Sequence, residues 1–429
     1  MILFRMKIFN KFFLFTGLLL SVNFNIFSQD WAKSLITNQQ RVDLRDLGYQ
    51  GVNEIPVNSS AVTSIITAKD GLIYGGTSGD EAYLFLFDPG INKVRHLGKL
   101  PGQSGIHHSL VEDKEGNVFI GTGKNIFEDI TLSKWGEGDD KFDVTLWKDI
   151  KKHFAGYPGG HLFCYNPSKS NEVVKLAGMN SDAEDLGIPL PNNSIYALTI
   201  NPHGDEIYGL TYPDGHFFIY NIPQKKFSDM GEVDRQKVFH GPERQWRTLP
   251  RALICDDSGR VFMSGNKGML VYYDPDKGKL VDSGIEMPGD YYYMQFYQDY
   301  TAVEYFTKNA DGLIYGGTSD GYLFSLDPKK MELNNLGKVR ESRRLRCLSV
   351  GYDGKVYLMA GEISTTRPCQ FYAFDPQRGH FEPLGLLIAD RSPYYYWRGQ
   401  QFDCMTTGLD GTVYLGESER KSHLFFYIP

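Results

Sequence analysis

Short apolar runs, bounded by Gly, Asp, Asn and Pro, recur along most of this chain. Runs this short between tight turns predict β-strands rather than helices. The runs also repeat. Lys69-Asp70-Gly71-Leu72-Ile73-Tyr74-Gly75-Gly76-Thr77 returns as Lys114-Glu115-Gly116-Asn117-Val118-Phe119-Ile120-Gly121-Thr122, and Asp311-Gly312-Leu313-Ile314-Tyr315-Gly316-Gly317-Thr318 nearly duplicates the first copy. Further copies begin at Gly204, Asp257, Asp353 and Asp410, which makes seven.

Each copy is followed by a second strand signature that ends in a turn, such as Tyr83-Leu84-Phe85-Leu86-Phe87-Asp88-Pro89 or Tyr322-Leu323-Phe324-Ser325-Leu326-Asp327-Pro328. A polar strand closing on Leu-Gly comes next, as in Val94–Gly98 and Leu333–Gly337. The unit is four short strands, A to D, with a tight A–B turn and an Asp-Pro turn between C and D. Such units cannot bury their faces alone and stack radially, so the expected fold is an all-β, seven-bladed β-propeller of four-stranded blades. The last copy stops at Phe426-Tyr427-Ile428-Pro429 without a strand D, while Val42-Asp43-Leu44-Arg45-Asp46-Leu47-Gly48 reads as an orphan strand D. It is expected to pair beside Leu424–Tyr427 and close the ring, removing an exposed edge.

Composition agrees with many short strands: of 429 residues, 46 are Gly, 27 Tyr and 28 Phe. A net charge of −7 argues against a nucleic-acid backbone as partner. Arg5, Lys7 and Lys11 precede the apolar run Phe12–Leu20, and the small Ser28 follows, which is the layout of a secretory signal peptide over residues 1–28. Asn23 and Asn25 interrupt that run before it could span a bilayer. The expectation is therefore a secreted or periplasmic protein, with residues 29–429 as one propeller domain, no membrane contact, and a monomeric state. Cys164, Cys255, Cys347, Cys369 and Cys404 are odd in number and match no zinc spacing, so they are read as structural. Four sit in apolar strand contexts and Cys369 is the exception, between Pro368 and Gln370.

In a blade, the A–B and C–D turns share one face, and the B–C loops and D–A connections share the other. The first set is short throughout. The second is long, near 123–160, 180–194, 232–249, 286–301 and 388–401, and long loops in a compact fold usually carry function. Two of them are dense in aromatics, Tyr291–Tyr297 and Tyr394–Arg398. Rings with polar tips, such as Tyr292, Tyr293 and Trp397, can stack on sugar faces.

Strand A is innermost, and its first residues line the channel mouth on the loop-rich face. Counting back a constant distance from the central aliphatic of each repeat gives Thr63, His108, Arg251, Glu304, Arg346 and Asp403, with Tyr196 in the third blade if one extra residue is allowed. Strand C starts on the same face and supplies His161 and His216 among others. Blades two to four thus aim His108, His161, Tyr196, His216 and Arg251 towards one sector. An arginine with histidines can neutralise a carboxylate, and a tyrosine or histidine can move a proton. That is what β-elimination on a uronic acid needs.

On these residues the chain resembles the seven-bladed propeller polysaccharide lyases, those of the ulvan-lyase type above all and oligogalacturonate lyase more distantly. The resemblance implies a secreted lyase acting on an anionic polysaccharide or oligosaccharide, with His108, His161, Tyr196 and Arg251 as its catalytic histidine pair, tyrosine and arginine. Substrate contacts would come from His107, Tyr212, His216, Tyr292, Tyr293, Arg346 and Trp397. In that family the arginine stands nearer the tyrosine in sequence than Arg251 stands to Tyr196, and the comparable hairpin here carries Tyr212 and His216. A one-residue slip would exchange His107 for His108. For Tyr196 to act as a base, a neighbouring cation must lower its pKa. No cofactor is called for. Two other readings remain open: a glycan- or protein-binding propeller without catalysis, and a propeller enzyme in which Glu304 and Asp403, or the histidines, hold a divalent metal.

Overall fold

The computed structural model describes residues 39–43, 55–125, 154–169, 175–176, 178–233, 250–289, 301–339, 344–361, 369–392, 395–398, 401–418 and 423–429. They form seven four-stranded antiparallel sheets, each in the spatial order A-B-C-D, and one two-stranded hairpin. The A strands touch one another round the ring, the last against the first. A seven-bladed propeller results.

Two features of the repeat explain why it folds this way. In the first, third and fifth blades a strand-B glycine lies opposite a strand-C phenylalanine: Gly75 faces Phe85, Gly209 faces Phe218 and Gly316 faces Phe324. A Cβ on Gly316 would sit 2.2 Å from the Phe324 ring, and one on Gly75 2.1 Å from Phe85. The glycine lets a large ring lie flat on the neighbouring strand, which a close-packed interior rewards. The turns are held by aspartates. Asp256 Oδ1 accepts from the Ser258 and Arg260 amides, and Asp113 Oδ1 from those of Glu115 and Asn117. Side-chain acceptors of this kind fix the turn without strand pairing.

The core is not one mass but seven hydrophobic clusters, each shared by two neighbouring blades. Phe85 and Val62 of the first blade, for example, pack with Cys404 and Leu424 of the seventh. Leu345 and Phe374 of the sixth pack with Tyr315 and Leu323 of the fifth. The remaining clusters bridge the other five junctions. No blade buries its faces without both neighbours.

Closure occurs where the sequence places it, with a shift in extent. Strand Gln39–Asp43 pairs antiparallel with His423–Tyr427, and Val42 lies opposite Leu424. The expected strand Val42–Gly48 is thus displaced towards the N-terminus, and residues 44–48 lie outside the described ones. Two expected loops contain strands. Glu184–Gly187 in the 180–194 segment is strand D of the second blade; its Glu184 and Asp185 are exposed, so it lacks the alternation that marks a strand. The 388–401 segment is a hairpin, Ile388–Ser392 with Tyr395–Arg398, in which Ala389 lies opposite Trp397. Its aromatic run has high strand propensity. The signal-peptide stretch 1–28 and the cluster Tyr291–Tyr297, with Tyr292 and Tyr293, fall outside the described residues.

All five cysteines are free. Cys369, expected to be the exception, is fully buried beside Phe371 and Phe402, and Cys164 is the partly exposed one. Among the described residues no helix is long and apolar enough to cross a membrane.

Candidate functional site at the axial mouth

In five blades the A–B pairing skips one residue, and the skipped residue is the one singled out by counting. The breaks fall between Val62 and Ser64, Ile195 and Ala197, Val303 and Tyr305, Leu345 and Cys347, and Phe402 and Cys404. The bulged residues are therefore Thr63, Tyr196, Glu304, Arg346 and Asp403. A bulge re-aims one side chain without breaking the rest of the ladder. In the second and fourth blades strand A starts later, at Leu110 and Leu253, and His108 and Arg251 stand two residues ahead of it.

These residues form one buried polar cluster. Glu304 divides its carboxylate between two arginines: Arg251 Nη1 donates to Oε1 at 3.1 Å, and Arg344 Nη2 donates to Oε2 at 2.8 Å. Arg346 Nη2 donates to Asp403 Oδ1, while Gln401 Nε2 at 2.7 Å and Ser418 Oγ donate to Asp403 Oδ2. Thr63 is turned away from this charge, donating to the Ile106 carbonyl. Beside the arginines, the His107 ring stacks on Tyr196 at 5.2 Å and 20°, and His108 approaches the same ring at 5.7 Å. Tyr212 lies 5.9 Å from Tyr196, and Tyr305 is 5.2 Å from His108.

Burial governs the protonation states. It pushes the His107 imidazole down to about 4, with the Lys124 carbonyl on Nε2 at 3.0 Å only partly opposing. His108 is also pushed down by burial, against the pull of Asp403 and Glu304. Tyr196 moves up because burial outweighs the nearby Arg251. The condition for a tyrosine base, a cation that lowers its pKa, is thus not met, and Tyr196 keeps its proton at neutral pH. Burial alone would raise Glu304, but Arg251 and Arg344 together hold it at about 2. Asp403 is likewise lowered, burial being overcome chiefly by Arg346 and the Ser418 hydroxyl. Among the described residues, three guanidinium groups then face two carboxylates beside neutral imidazoles.

Among the described residues the His161 side chain touches Asp185 and Phe163, and not His108, Tyr196 or Arg251. His161 lies just before strand C, two strands out from the axis, with Nδ1 2.9 Å from Asp185 and its ring stacked on Phe163. His216 repeats the arrangement one blade on, with Nδ1 3.0 Å from Asp229. The His–Asp pair thus recurs in two neighbouring blades, each time joining the start of strand C to strand D. His107, His108, Tyr196, Tyr212, Arg251 and Arg346 do come together. Trp397 is placed on the hairpin, and Tyr292 and Tyr293 lie outside the described residues. Counting missed Arg344, which precedes Arg346 by two residues in a basic run that reads as a solvated loop. Among the described residues no three or more His, Cys, Asp or Glu stand where they could hold a metal ion.

No family model matches the chain, and no curated protein matches it. Solved structures are similar in fold. One is a streptogramin B lyase, with a TM-score of 0.58 at 10% identity over 92% of this chain and 99% of that one. Another is the extracellular domain of a one component system from B. thetaiotaomicron, with a TM-score of 0.54 at 12% identity; 90% of this chain is covered but only 40% of that one. A fungal alcohol oxidase in complex with copper has a TM-score of 0.54 at 12% identity, over 91% of this chain and 76% of that one. At such identities the likeness lies in the fold, the seven-bladed propeller.

Proposed function

We propose that this protein is a polysaccharide lyase that cleaves a uronic-acid-containing chain by β-elimination at the axial mouth. One observation carries the reading: neutral imidazoles and a protonated tyrosine stand against a cluster of three arginines. Elimination needs those three parts. An arginine neutralises the uronate carboxylate, which makes the C5 proton acidic. His108, neutral and with no partner on its Nδ1 among the described residues, removes that proton as the C4–O bond breaks and the C4–C5 double bond forms. Tyr196 gives its proton to the leaving oxygen and recovers one from His108 across the 5.7 Å between their rings, through water. Each such transfer contributes about a hundred- to ten-thousand-fold in rate.

Hydrolysis by a carboxylate pair fits less well. It requires one carboxyl group that is protonated and able to donate, whereas Glu304 and Asp403 are both held ionised by arginines. In this reading Tyr292, Tyr293 and Trp397 stack neighbouring sugars, His161 and His216 border the cleft, and the polymer is met outside the cell. The test is incubation with a panel of uronate polysaccharides, followed by ultraviolet absorbance of the unsaturated uronate. Growth of that absorbance on at least one polymer supports the proposal. Binding without any unsaturated product on the panel would favour a glycan-binding module.

A further inference from the structure

Among the described residues Arg346 is the largest fully buried side chain, yet its Nε and Nη1 have no hydrogen-bond partner there, and neither has Nε of Arg344. A buried guanidinium donor left unpaired costs more than one merely exposed to water, so each such group calls for an occupant. Both arginines are already tied at one end, Arg344 through Nη2 to Glu304 and Arg346 through Nη2 to Asp403, so their free edges are fixed in place. Arg344 is also held with φ at 58°, a left-handed conformation rare for a residue other than Gly, Asn or Asp. The Ser319 carbonyl accepts from its amide and its own carbonyl accepts from Gly361 N–H, which pins that conformation from both sides. Strain of this kind persists where surrounding structure over-determines it and clusters at ligand clamps.

We propose that the unpaired edges of Arg344 and Arg346 form the seat for a single carboxylate, and that Arg251 does not bind it directly but positions Arg344 through Glu304. The inference rests on the lyase reading for the identity of the ligand, a uronate, and it moves the carboxylate from the fourth blade to the sixth. Hydrogen bonds from a guanidinium to a carboxylate are charge-assisted and short, and here the donors come from two different arginines. A neutral sugar of the same shape offers no charge to the seat.

Calorimetric titration of the intact protein with D-glucuronate, and with D-glucose for comparison, tests the seat without turnover. Expected are binding of glucuronate at one site, none of glucose, and at least tenfold weaker glucuronate binding in Arg344→Gln and in Arg346→Lys. Arg346→Lys keeps the charge beside Asp403, and Arg344→Gln lies at the partly exposed edge, so folding is checked by an unchanged melting temperature in at least one of them. Arg251→Lys should bind glucuronate within about threefold of wild type, because a lysine can still pair with Glu304. If Arg251→Lys abolishes binding while both other variants retain it, or if wild type binds glucose as well as glucuronate, the seat is wrongly placed. Glucuronate binding lost in the Arg344 and Arg346 variants, together with no elimination of any polymer, would keep the seat and remove the lyase reading. Elimination with unchanged KM in both variants would keep the lyase and remove the seat.

Discussion

At the scale of single residues the site depends on which groups are charged. His108→Ala and Tyr196→Phe should each lower kcat by a factor of about a hundred or more with little change in KM, since each removes a proton transfer and not a binding contact. Equal loss in KM and kcat would instead make these side chains packing elements. Burial sets the acid behaviour too. His107 titrates near 4 in the folded chain against an ordinary 6.5, so the unfolded chain takes up its proton first as the pH falls. Its contribution is fully present above about 6.5 and is lost as the pH falls towards 4; Glu304, held at about 2 against 4.5, acts with the same sign lower down. Melting temperature should therefore drop between pH 7 and pH 4, and the drop should be smaller in His107→Gln. The axial residues were legible because a bulge recurs at a constant offset from the repeat, so counting finds it. The partner of His161 was not legible, because its equivalence in the repeat says which face it is on and not that Asp185 of strand D stands beside it. Arg344 was hidden because nothing in a run of arginines shows which one is held in a left-handed turn.

Within single blades, the repeat encodes its own packing. Gly316→Ala should destabilise the fifth blade by about 1–3 kcal/mol, because the new methyl meets the Phe324 ring on the adjacent strand. Gly278→Ala in a C–D turn, with open space around it but φ at 61°, should cost about 1 kcal/mol from backbone alone. Chemical denaturation of both variants checks the order; a larger loss at Gly278 would mean that the glycine–phenylalanine pairing is not what limits strand B. Strand identity was read well where a short apolar run ends on an Asp-Pro turn, as in Ala82–Asp88. It failed where there is no such run, in Glu184–Gly187, whose place is fixed by pairing with strand C and not by burial of its own.

Across the whole molecule, stability rests on seven shared interfaces and one seam. Deleting residues 1–43 removes the strand that pairs with His423–Tyr427 and should leave an open edge beside the fully buried His423–Glu417 pair, whose Nδ1–Oε2 distance is 2.6 Å. Such a chain should melt at lower temperature and aggregate; one as soluble and heat-stable as the intact chain would mean that the seam does not hold the ring. The same closure keeps arginines of the fourth and sixth blades on one glutamate of the fifth, so the axial chemistry is a property of the ring and not of any blade. Elimination and hydrolysis differ in where oxygen comes from. Digestion of a susceptible uronate polymer in heavy-oxygen water, with mass spectrometry of the oligosaccharides, separates them directly. The account predicts products with an unsaturated end and no heavy oxygen at the cleaved bond, and saturated products carrying heavy oxygen there would contradict it.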